Sequence, residues 1–60
     1  MTILIEFKNK SQEAQEVQWY KLNWRTKTLI LPHENIALRE IRTLTIDTGS
    51  KTFEMFNGGK

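Results

Sequence analysis

Seven carboxylates, two serines, one histidine and nine lysines and arginines are the groups through which this 60-residue chain could do chemistry. Nucleophilic catalysis needs a nucleophile beside a base, and general acid–base work needs titrating groups held close together. His33 follows Pro32 in a turn, with Glu34 next to it. Ser11 and Ser50 also fall in expected turns, where hydroxyls ordinarily cap backbone groups, and no nucleophile-elbow pattern presents either one. Glu6, Glu13, Glu16, Glu34, Glu40, Asp47 and Glu54 are scattered, with no calcium-loop spacing among them. The glycines, Gly49, Gly58 and Gly59, form no phosphate-cradling pattern. Cysteine is absent and His33 stands alone, so disulfides and zinc clusters of the His/Cys type are excluded. A protein that is not an enzyme, with no metal and no cofactor, is the expectation.

What remains is an aromatic and basic set. The stretch Val17–Leu31 holds both tryptophans, the only tyrosine and the basic residues Lys21, Arg25 and Lys27. Residues 21–42 carry five basic groups (Lys21, Arg25, Lys27, Arg39, Arg42) against Glu34 and Glu40, whereas the flanking thirds are nearly balanced. An anionic partner would meet this middle third first. If residues 16–24 form a strand, Val17, Trp19, Lys21 and Asn23 share one face, and Gln18, Tyr20, Leu22 and Trp24 share the other. The second face reads as core, leaving Trp19 outside among cations. Such a ring can stack on a nucleic-acid base or anchor a protein contact. It can equally be covered by the Gln12–Glu16 segment as part of the fold. The expected partner-binding set is Trp19, Lys21, Trp24, Arg25, Lys27, Arg39 and Arg42.

The elements that must carry these residues read as mostly β. Residues 2–8 alternate, with Ile3, Ile5 and Phe7 on one face and Thr2, Leu4, Glu6 and Lys8 on the other, the pattern of a half-buried strand. Asn9–Ser11 supply a turn. A second strand is expected over about 16–23, a third over 27–31 up to Pro32, a fourth within 36–46 and a fifth over 51–56. A short helix at 10–16 is the alternative for QEAQE, whose residues favour helix. Ile41 is out of step with Ile36, Leu38, Leu44 and Ile46, which calls for either a β-bulge near Arg39–Glu40 or a helical turn at 36–41. Asp47-Thr48-Gly49-Ser50 is a hairpin turn. These pieces predict a single domain over 1–57, a five-stranded antiparallel meander or partly closed barrel, with a flexible tail at 58–60.

So small a chain has little margin. Surface scaling gives on the order of 6,000 Å² buried on folding, about 60% of it apolar, or roughly 90 kcal/mol. Ordering the chain costs roughly the same. Self-association is therefore expected, through Leu29, Ile30 and Leu31, a strand apolar on both faces. The opening Met1–Phe7 is too short for a signal peptide or a membrane span, and the lack of cysteine fits a cytoplasmic protein. In length and texture the chain resembles the short, cysteine-free accessory proteins of bacteriophages, which implies binding and blocking a host factor, or sequestering a small ligand. The leading expectation is a self-associating binding protein that engages a macromolecule, a protein first, through its aromatic and basic surface. A small-barrel binder of single-stranded nucleic acid, or an oligomeric sponge for a nucleotide-type ligand, are the alternatives.

Overall fold

The alternation of Ile3 and Ile5 with Leu4 and Glu6 makes β1 (Thr2–Phe7), buried on one face and open on the other. In the computed structural model, which describes residues 1–58, β1 lies inside a four-stranded antiparallel sheet. On one side it pairs with β2 (Gln12–Glu16), and on the other with β6 (Ile41–Asp47), which in turn pairs with β7 (Thr52–Asn57). A second antiparallel sheet holds β3 (Lys21–Asn23), β4 (Thr28–Ile30) and β5 (Asn35–Ala37) in that order. The architecture is thus mostly β, as expected, with seven short strands rather than five among the described residues.

The two sheets close on one aliphatic core. Ile3, Ile5, Ile41 and Leu44 come from the larger sheet and Leu29 from the smaller, all with essentially no exposed surface. Register stacks Ile3 on Ile46 and Ile5 on Leu44 within the first sheet, and Leu22, Leu29 and Ile36 across the second. Full burial of each such side chain contributes about 1.5–3 kcal/mol. One stretch of backbone serves both sheets: β5 runs through a 3-10 turn at Leu38–Glu40 directly into β6.

Two local features depart from the sequence-based expectation. Residues 12–16 are a strand, not a helix. The expected turn at Asn9–Ser11 precedes it: Asn9 Oδ1 accepts hydrogen bonds from Ser11 N at 2.9 Å and Ser11 Oγ at 2.6 Å. Lys10 then takes a left-handed conformation (φ 75°) that turns the chain back onto β1. A helix this short is marginal alone, whereas strand pairing satisfies the backbone groups along the side of β1. The strand expected over 16–23 is broken between β2 and β3. Val17 N still donates to Met1 O at 2.9 Å, but the chain leaves the sheet there and re-enters a different one at Lys21.

At Ile41 both expected irregularities occur. The helical turn is the 3-10 turn, and the bulge lies at Arg42 rather than near Arg39–Glu40. Glu6 faces Thr43 while Phe7 faces Ile41, so Arg42 is the extra residue and Ile41 returns to the core. Gly58, the first residue of the expected tail, donates its N–H to Arg42 O at 2.7 Å; residues 59–60 lie outside the described residues.

At the open end of β2, Glu16 binds Thr2 Oγ1 at 2.8 Å and the Met1 ammonium at 3.0 Å. The Thr2 hydrogen bond first, and the ammonium second, hold the Glu16 carboxyl below its ordinary value. Because the folded state favours the ionised form, this contribution is present above the ordinary carboxylate range and lost as pH falls through the lowered value. Thr2→Val should move the Glu16 titration upward, as read by NMR of its side-chain carboxyl.

Candidate functional site

The β3–β4 hairpin is built by one side chain. Asn23 Oδ1 accepts from Arg25 N at 3.0 Å and Thr26 N at 3.1 Å, folding residues 24–27 into a tight loop. Lys27 closes it with φ 56°, a left-handed conformation that costs a non-glycine residue about 1–2 kcal/mol. The loop projects Trp24, Arg25, Thr26 and Lys27 outward, all exposed. Trp24 is 51% exposed and rests against Phe56 of β7, ring centroids 5.9 Å apart and tilted by 44°.

Backbone hydrogen bonds lace this loop to the other segments at the same end of the fold. Lys27 O accepts from Leu38 N at 2.9 Å, which sets Arg39 of the 3-10 turn beside the loop. Glu40 O accepts from Lys8 N at 3.0 Å, bringing in the β1–β2 hairpin with Lys8 and Lys10. Arg42 O holds Gly58 at the end of β7. Six of the nine basic residues (Lys8, Lys10, Arg25, Lys27, Arg39, Arg42) therefore share one end, and all six are exposed. Among the described residues the acids there are Glu40, Glu6 and Glu54, whose Oε1 accepts from Asn57 Nδ2 at 3.2 Å where Asn57 pairs with Thr43. Glu6 Oε1 lies 3.9 Å from Arg42 Nε and accepts from Thr43 Oγ1 at 3.4 Å, and this is the one ion pair at this end among the described residues. A surface pair of that length is worth under about 1 kcal/mol, so Arg42 stays free to meet another anion.

Of the expected partner-binding residues, the fold gathers Trp24, Arg25, Lys27, Arg39 and Arg42. Trp24, expected on the core face of a continuous strand, is exposed because β3 ends at Asn23 and the loop begins with it. Lys21 sits at the far end of β3, opposite Ile30. Trp19 is not covered by Gln12–Glu16. It is 49% exposed at the other end of the molecule, beside a shallow depression formed with Met1, Val17, Pro32 and His33. Lys8 and Lys10 belong to the basic end although the sequence did not single them out. Only the pairing of β1 with β6 shows it, by setting the end of one beside the start of the other.

The hydroxyls perform turn work: Ser11 Oγ donates to Asn9, and Ser50 Oγ lies 3.5 Å from Thr48 Oγ1. His33 is exposed in the β4–β5 turn, and no group of three or more metal-ligating side chains comes together among the described residues. No helix among them is long and apolar enough to cross a membrane. Of the residues expected to join copies, Leu29 and Leu31 lie in the chain's own core, and Ile30 is half-buried.

Lys27→Gly should raise folding stability by about 0.5–1 kcal/mol, since glycine adopts this φ without the steric cost but loses more chain entropy. Urea denaturation will show it. No family model, curated protein or solved structure matches the chain.

Proposed function

We propose that this is a non-enzymatic binding protein that holds an anionic macromolecule against its basic, Trp24-bearing end. One observation carries the reading: the topology collects six cations from three separated stretches of sequence at the end that bears one exposed indole. Net charge is only +2, so attraction depends on where the charge sits rather than on its total. Two double variants of equal net charge test this. Arg25→Glu/Lys27→Glu should abolish retention on immobilised heparin, while Lys21→Glu/Lys51→Glu, which alters charge elsewhere, should leave it largely intact. Equal loss in both would mean diffuse attraction and would sink the reading.

Self-association is supported by a different feature. The two edges of the larger sheet are unlike. β2 is polar but for Ala14, whereas β7 stands at the other border with Phe53 46% exposed and Met55 beside it half-buried. A free apolar edge is a template for a second strand, and an antiparallel β7–β7 contact between two copies would satisfy it. Phe53→Lys should then convert a dimer to a monomer in sedimentation equilibrium. A wild-type monomer at high micromolar concentration would remove this contact.

A further inference from the structure

Resting on that reading of the basic end, we infer that its partner is single-stranded nucleic acid, with one base stacked on the outer face of Trp24 and the flanking phosphates on the surrounding cations. Sequence-tolerant strand binders combine an aromatic platform with a cationic track, and both parts occur here within one laced surface. Phe56 packs against the indole at a tilt of 44° while Trp24 stays 51% exposed, so the ring is braced and still accessible to a base. Arg25 and Lys27 lie in the same four-residue loop as the ring. The bond from Leu38 N to Lys27 O, and that from Lys8 N to Glu40 O, continue the cations through Arg39 to the β1–β2 hairpin. A strand starting at Trp24 would run in that direction.

Two competing partners fit less well. Duplex DNA hides the faces of its bases, and among the described residues this end projects no α-helix or long ribbon to enter a groove. An acidic protein would meet a surface ringed with charge, whereas the cores of protein interfaces are depleted of charged residues. A single strand needs what is present, a ring for a base and separated cations for phosphates.

The test is fluorescence anisotropy at low salt with two labelled octamers, one of thymidylate and one of abasic sites with the same phosphates. The thymidylate octamer should bind with a log–log salt slope of roughly −3 if about four phosphates are neutralised. Binding of the abasic octamer should be at least about 10-fold weaker, and Trp24→Ala should lose a similar factor on thymidylate. Trp19→Ala should change nothing. In Trp19→Phe protein, where Trp24 is the only indole, the oligonucleotide should quench the fluorescence, a readout that needs no change at the site. Equal affinity for the two octamers, or absence of quenching, overturns the inference. Retention on heparin without oligonucleotide binding, or stronger competition by polyglutamate than by thymidylate, also overturns it and leaves the broader anion-binding reading standing. Failure to bind any of these polyanions removes both.

Discussion

Leu29→Ala should be severely destabilising. Leu29 has no exposed surface and stands at the centre of the smaller sheet, between Leu22 and Ile36. Removing a buried leucine side chain costs about 2–5 kcal/mol, depending on how far the site collapses. A domain of this length has a total stability of roughly 3–9 kcal/mol, so a single cavity consumes a large share of it. Thermal melts by circular dichroism should show the loss at both low and high protein concentration. A residue that joined two copies would behave differently: its variant would keep the fold and lose only the assembly, with a melting temperature that depends on concentration. Ile30→Ala, on the half-buried side of the same strand, should cost clearly less.

Gly58→Ala should destabilise the protein by about 1–3 kcal/mol, the usual range for forcing extra volume into a packed site. A Cβ there would stand 2.9 Å from Ile41 O and 3.0 Å from the Phe56 ring. The carbonyl belongs to the first residue of β6 and cannot retreat without disturbing the sheet. The ring can move, but it is the support on which Trp24 leans. The substitution should therefore act twice, weakening the Gly58–Arg42 hydrogen bond that ties down β7 and loosening the indole. Urea denaturation gives the first effect, and the second should appear as a shift in Trp24 emission in a Trp19→Phe background. A change within about 0.5 kcal/mol would place Gly58 among ordinary surface positions.

The parts of the fold legible in the sequence are those that a local pattern dictates. Alternation gave away β1, Pro32 marked the turn after β4, and Asp47 with Gly49 marked the last hairpin, where Asp47 Oδ1 accepts from Gly49 N at 2.8 Å and Gly49 takes φ 96°. The misplaced Ile41 announced an irregularity that the 3-10 turn and the Arg42 bulge explain. β2 was hidden because nothing in QEAQE is apolar enough to show a face. Its strand conformation comes from the backbone of β1, a non-local partner that outweighs helix propensity. The candidate surface was half legible for a similar reason. Counting charge along the chain found Arg25, Lys27, Arg39 and Arg42, but Lys8 and Lys10 reach that end only through sheet pairing. Trp24 was assigned inward by extending strand parity past Asn23, where the strand stops and parity no longer applies.

If copies join through β7 as proposed, the contrast between the two rims of the larger sheet limits how far that contact can extend. Gln12, Glu13, Gln15 and Glu16 make one border that repels or ignores a newcomer, and only the border with Phe53 and Met55 invites one. A tile with a single adhesive side cannot be laid in rows. On that contact, once two such sides meet both are spent, and the larger sheets stop at a pair instead of running on into a fibril.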